Sequence, residues 1–223
     1  MSNNNAQPKR LSRKAQLLAS AGIILFALLA SFYFGNQEPP TSLQSTAGQE
    51  RAMTGTYYAD IAIQDYGTVT VELNGDAAPI TVGNFVTLAR EGFYDGLTFH
   101  RVMDGFMMQG GDPNGDGTGG SPERIKGEFS ANGWDNPLKH ERGVLSMARQ
   151  SYPLDSASSQ FFIMHQAARS LDGQYAAFGR VLTGMEIVDA ICAETPVVDN
   201  NGTVAAGYKP VINSIRLVEK PAE

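Results

Sequence analysis

Between Phe99 and Asp112 the chain reads F-H-R-V-M-D-G-F-M-M-Q-G-G-D. Two short apolar runs flank an Asp-Gly turn, a pattern that predicts a β-hairpin and so an antiparallel sheet. In a strand, residues two apart share a face. Phe99, Arg101 and Met103 are therefore expected on one side, and His100 and Val102 on the other. Arg101 is the difficulty. A guanidinium carries five donors and a permanent charge, and among aromatic and thioether groups it needs acceptors. Two explanations are open. Either Arg101 is held by an ion pair within the fold, or it floors a groove and offers donors to a substrate carbonyl.

The neighbouring segments extend the sheet. Tyr57–Ile63 and Thr68–Leu73 alternate apolar and polar residues around Asp65-Tyr66-Gly67, a second expected hairpin. Val82, Phe85, Val86 and Ala89 fall at helical spacing, with Gly92 placed to stop the helix. Gly143–Ala148, Ser159–Met164, Ala177–Val181 and Val211–Val218 read as strands, and Met185–Ala190 as a short helix. Many short strands, two helices and no βαβ rhythm predict a mainly β fold: a closed antiparallel β-barrel with helical caps.

The first fifty-five residues read differently. Residues 1–14 are polar and contain Lys9, Arg10, Arg13 and Lys14. Residues 15–35, Ala15 to Gly35, contain no charge, and about 20 apolar residues span a bilayer as a helix. Phe32, Tyr33 and Phe34 stand where an interfacial aromatic belt is expected, and the basic flank places the N-terminus in the cytoplasm. The expectation is one N-terminal transmembrane signal anchor in the cell inner membrane, with the body on the periplasmic side. A cleaved signal peptide, giving a periplasmic protein, and a buried core helix are the alternatives. No A-x-A site precedes Ser31, because position 28 is Leu. Residues 36–55, rich in Pro, Ser, Thr and Gln, read as a flexible linker, and residues 56–223 as the globular domain.

Charge and cysteine usage exclude several classes. The chain has 23 Asp and Glu against 17 Lys and Arg, and four of those cations sit in the basic tail. An acidic body repels phosphates, so no nucleic-acid partner is expected. The single cysteine, Cys192, cannot form an internal disulfide and reads as a small core residue. No Cys/His spacing suggests zinc. Asp112 to Glu123 matches the spacing of a calcium loop, but a strand rather than a helix precedes it and Gly119 fills a usually apolar slot. No Ser/His/Asp constellation points to a hydrolase.

The hairpin motif L-T-F-H-R-V-M-D-G-F-M-M-Q-G-G-D is followed in order by H-E-R-G-V-L-S-M-A-R, S-S-Q-F-F-I, L-D-G-Q-Y-A-A-F-G-R-V and G-M-E-I-V-D. Together, over Tyr57 to Val218, these resemble the cyclophilin family of peptidyl-prolyl cis-trans isomerases. The resemblance implies an eight-stranded closed antiparallel β-barrel capped by two α-helices. It implies no metal and no cofactor, a monomer, and substrates that are proline-containing polypeptides. It makes Arg101 the catalytic residue. It makes Phe106, Met107, Phe162 and Leu171 the pocket for the proline ring. Gln109, Ala148, Arg149 and Tyr175 fall at its remaining substrate-binding positions. Arg149 stands where many members have Asn, Tyr175 where many have His, and Ser170 where cyclosporin-sensitive members have Trp, so weak cyclosporin binding is expected. Alternation puts Phe161 and Phe162 on opposite faces, so Phe161 is assigned to the core. His100 is read as structural, and His140 and His165 receive no role. A prolyl isomerase assisting folding of exported or membrane-associated proteins is the expected function. A non-catalytic chaperone or scaffold that holds proline segments is the alternative.

Overall fold

The computed structural model describes residues 51–221. The basic tail, the apolar segment 15–35 and most of the linker lie outside these residues. Among the described residues no helix is long and apolar enough to cross a membrane.

β1 (Thr56–Ile63) and β2 (Gly67–Asn74) form the first hairpin, with Ile63 opposite Gly67. The turn needs left-handed backbone at Asp65 (φ 65°), which an Asp tolerates. Ala59, Ile61 and Ile63 on one strand and Val69, Val71 and Leu73 on the other point into the core. β3 (Thr98–Met103), β4 (Met107–Asp112), β5 (Val144–Met147), β6 (Phe161–Met164), β7 (Ala177–Thr183) and β8 (Ile212–Val218) complete one eight-stranded sheet, in the order β3-β4-β6-β5-β7-β2-β1-β8. Every pairing is antiparallel.

The sheet curls until its edge strands meet. Closure is less complete than a closed barrel: β3 and β8 share no ladder, only the bridge Thr98–Val211 and flanking backbone bonds such as Ile212 N–H to Leu97 O at 2.7 Å. The reason lies in residues 202–204. They occupy the rest of the outer edge of β3, through Val102 N–H to Gly202 O at 2.8 Å and Val204 N–H to His100 O at 3.0 Å.

α1 (Pro79–Arg90) begins with proline, whose missing N–H is no loss in a first turn. No local side chain caps it. The cap comes from Glu128, which accepts the N–H groups of Ile80 (2.9 Å) and Thr81 (2.8 Å). That places a carboxylate at the positive end of the helix dipole. Gly92, at φ 70°, ends the helix as expected. α2 (Met185–Glu194) runs four residues past the expected Ala190, because Val188, Ile191 and Cys192 continue one buried stripe. Burial pushes the Cys192 thiol up to about 12.

The core centres on Phe85 of α1. Its ring lies 5.2 Å from Tyr94, 5.4 Å from Phe161 and 5.2 Å from Phe178, centroid to centroid. A second, smaller apolar cluster forms on the opposite face of β6. It contains Met107, Phe162 and Met164, with Phe106, Leu171 and Tyr175 packed against them. Thus Phe161 serves the core and Phe162 the outer cluster, as alternation requires.

Candidate active site

The hairpin β3–β4 departs from simple alternation. Phe99 pairs with Gly110 and Arg101 with Gln109, so His100 is an extra residue in a β-bulge. The expected common face of Phe99 and Arg101 is therefore not found. Phe99 is fully buried in the main core with Val102, while Arg101 and Met103 face the outer cluster. Gly110 permits this, since a Cβ there would meet Thr98 O at 2.8 Å and the Phe99 ring at 2.9 Å.

Among the described residues no carboxylate pairs with Arg101. The arginine ion pairs of the described residues involve Arg51, Arg142, Arg169, Arg180 and Arg216. Arg101 is instead held by neutral acceptors: Nε donates to Asn201 O at 2.7 Å and Nη1 to Gln109 Oε1 at 3.3 Å, while Nη2 lies 3.2 Å from Met103 Sδ. Its guanidinium carbon sits 6.0 Å from the centre of the Phe106 ring. Burial pulls its pKa below the ordinary value, opposed by Tyr175 and Asp199, and an arginine keeps its proton regardless. Of the two explanations left open by the sequence, the ion pair is not found among the described residues.

Arg101, Phe106, Met107, Gln109, Ala148, Arg149, Phe162, Leu171 and Tyr175 line one concavity of about 150 Å³. These are the nine residues singled out from the sequence. The strand registers explain the convergence: Gln109 stands opposite both Arg101 and Phe162, and Met107 opposite Met164. The concavity is smaller than sites for drug-sized ligands and suits one compact ring. Its floor is the Phe162 ring, in edge contact with Tyr175 at 5.9 Å.

A polar chain runs from the arginine. Gln109 Nε2 donates to Gln160 Oε1 at 2.9 Å, and Gln160 Nε2 donates to Gly117 O (3.1 Å) and Gly119 O (2.7 Å). Gln160 was not singled out, although it shares a strand face with Phe162 by the rule of two. Asn201 lies a hundred positions from Arg101, and no local sequence signal leads to it. The Ala148 N–H donates to Gln160 O at 2.9 Å, which ties this wall of the concavity to the same glutamine.

Behind Phe162 lies His140, stacked at 6.1 Å and 20°. Its Nδ1 is 3.0 Å from Asp172 Oδ1 and its Nε2 is 3.0 Å from Ser146 Oγ. The carboxylate fixes the tautomer: Nδ1–H donates, and Nε2 accepts from the serine. Asp172 directly follows the 3-10 turn Arg169–Leu171, so this relay ties down the Leu171 wall. His165, also without an expected partner, has Nδ1 accepting the Gly105 N–H at 2.9 Å, at the hairpin turn.

Burial lowers the pKa of both His140, against its Asp172 contact, and His100, against Asp112. Neither nitrogen of the His100 ring has a hydrogen-bond partner among the described residues. An imidazole kept neutral on folding still takes up a proton when unfolded, below about pH 6.5. Its contribution to stability is therefore complete above that pH and declines as pH falls toward the folded pKa. Thermal unfolding measured from pH 7 to 5.5 is expected to show Tm falling with acidification. The His100→Gln variant is expected to flatten that slope; an unchanged slope would remove His100 from the explanation.

In the loop after β4 the acidic side chains are engaged within the protein. Asp112 accepts the N–H groups of Asn114 (2.9 Å), Asp116 (3.2 Å) and Gly117 (2.6 Å), and Glu123 pairs with Arg51 at 2.7 Å. Among the described residues no three His, Cys, Asp or Glu side chains come together as a metal site.

Residues 58–216 match the family model described as cyclophilin type peptidyl-prolyl cis-trans isomerase. The chain is 49% identical over 124 residues to peptidyl-prolyl cis-trans isomerase B of Bacillus subtilis, a match covering 56% of this chain and 82% of that protein. It is 44% identical over 145 residues to a Helicobacter pylori peptidyl-prolyl cis-trans isomerase, covering 64% of this chain and 85% of the other. Among solved structures, a Cryptosporidium parvum cyclophilin type isomerase superposes with a TM-score of 0.66 at 29% identity, over 75% of this chain and all of that one. A structure of that isomerase in the presence of the dipeptide Ala-Pro superposes with a TM-score of 0.64 at 30% identity, over 73% of this chain and 99% of that one.

Proposed function

The chain belongs to the cyclophilin-type peptidyl-prolyl cis-trans isomerases, and on that premise we propose how its groove divides the work of rotating an X-Pro bond. Partial double-bond character sets a barrier of roughly 18–20 kcal/mol. No bond is broken, so no nucleophile is required. What accelerates rotation is a site that binds the twisted amide better than either planar form. Twisting ends the resonance that spreads the prolyl nitrogen's lone pair onto the carbonyl, so that electron density returns to the nitrogen. Arg101 supplies fixed positive charge and donors at that point. Phe162, Met107, Phe106 and Leu171 hold the proline ring, with the Tyr175 ring at the edge. Gln109 and Ala148 grip the substrate backbone, and Arg149 borders it. The observation that carries this reading is a guanidinium with no carboxylate partner among the described residues, lining a concavity of about 150 Å³ together with Phe106, Met107, Phe162 and Leu171. A peptide isomerisation or proline-limited refolding assay tests it: the expected result is acceleration in proportion to added chain.

We further propose that the enzyme is a single-pass protein of the cell inner membrane, serving exported or membrane-associated clients. The uncharged segment 15–35 and its basic flank support this reading. Membrane fractionation with protease accessibility tests it; recovery in the soluble fraction would contradict it.

Ser170 is exposed and directly precedes Leu171, which lines the concavity. A tryptophan there would add a ring face and an N–H donor. Weak cyclosporin inhibition is therefore expected, with Ser170→Trp tightening it by roughly tenfold or more, the scale of one buried aromatic contact. An inhibition titration in which the two proteins are equally sensitive would contradict this.

A further inference from the structure

A second concavity, of about 200 Å³, adjoins the proline pocket and shares Gln109, Ala148 and Arg149 with it. Its chemistry is different. Hydroxyl groups of Thr118, Ser121, Ser156 and Ser158 line it, together with Arg124 and Arg149. Among the described residues no carboxylate lines it, on a chain where acids outnumber bases by 23 to 17. Neither arginine belongs to an ion pair of the described residues. The nearby acids are already engaged. Glu123 is paired with Arg51, and Asp116 accepts the N–H and hydroxyl of Thr118 at 2.9 and 2.6 Å.

Arg149 is ordered before any ligand arrives. Its Nε donates to Gln174 O at 2.9 Å and its Nη1 to Gln150 O at 2.7 Å and Ser151 O at 3.1 Å. Its guanidinium lies 5.0 Å from the Phe129 ring centre and 4.7 Å from that of Tyr175. All these acceptors are neutral, so the charge is positioned and uncompensated, and Nη2 keeps its donors. A planar fork held in this way loses little freedom on meeting a carboxylate.

We propose that this concavity selects substrates carrying an Asp or Glu within three residues of the proline, with Arg149 and Arg124 as the specificity-determining cations. The inference rests on the adjoining concavity being the proline site. An extended chain advances about 3.3 Å per residue, so a side chain one to three positions from a seated proline is in range of the second concavity.

The test walks one Glu from the third residue before the proline to the third after it in an otherwise neutral peptide. A Gln peptide accompanies each position, and kcat/KM is measured with the full-length chain. At one position the Glu peptide is expected to be isomerised about fivefold more efficiently than its Gln counterpart, the scale of a partly exposed ion pair. That ratio should fall toward one at about 1 M salt, where the screening length is about 3 Å. Arg124→Glu should bring it below one. Because the ratio is taken within each protein, a general loss of activity in the variant cancels. Acceleration of every peptide with equal Glu and Gln rates at all positions, or a ratio untouched by Arg124→Glu, would overturn the inference alone. No acceleration of any peptide would overturn the proline-site reading and this inference with it.

Discussion

Replacing Arg101 with Ala is expected to lower kcat/KM for X-Pro isomerisation by roughly 10²- to 10³-fold, the range seen when one preorganised electrostatic donor is removed. Tm should move by no more than about 2 °C. The two halves of this expectation have separate origins. The activity loss follows because no other cation reaches the same point of the proline concavity: Arg149, the second arginine of that lining, is fixed by carbonyls and rings on its own side. The stability is spared because Arg101 leaves no carboxylate unpaired. Its partners are the Asn201 carbonyl and the Gln109 amide oxygen at the groove surface, which water can satisfy. Arg101→Lys should recover only part of the activity, since it keeps the charge and loses the planar fork. A peptide assay and a thermal melt on the same preparations check both halves.

Replacing Phe85 with Ala is expected to do the reverse. Truncating a buried Phe in a tight core costs about 3–5 kcal/mol, so Tm should fall by roughly 10 °C for a domain of this size. Phe85 is fully buried and contacts Tyr94, Phe161 and Phe178 at once, so the space left behind is bounded by aromatic rings that cannot simply collapse into it. Its neighbour Phe161 sits on the core face of β6, whereas Phe162 faces the groove. At temperatures where the variant stays folded, its kcat/KM should remain within about twofold of the parent. Chemical denaturation and the peptide assay read the two effects. A variant that loses activity as fully as Arg101→Ala while still folded would mean that core and groove are not separable in this way.

The difference between these two residues shows what the sequence carries. Period-two alternation separates Phe161 from Phe162 correctly. The hairpin turns, and the stop of α1 at Gly92, follow from local chemistry. The nine candidate residues converge because strand register brings motifs together that are far apart in the chain. What escapes is anything decided across the fold. The bulge at His100 depends on how closely β3 approaches Gly110, and it moves Phe99 to the opposite face from Arg101. The cap on α1 comes from Glu128, 48 positions from Ile80. Asn201, which orients Arg101, and Asp172, which orients His140, are likewise contacts that only the folded chain creates. Gln160 is of another kind: the alternation that selects Phe162 also selects it.

Catalysis at Arg101 is distinguished from mere retention of proline segments by one measurement, exchange spectroscopy on an Ala-Pro peptide with a substoichiometric amount of the chain. Cis–trans cross-peaks are expected with the parent protein. With Arg101→Ala they should vanish, while peptide-induced shifts of Phe162 and Gln109 signals persist. Cross-peaks of equal intensity with Arg101→Ala, or binding shifts without exchange in the parent, would contradict the role assigned to this arginine.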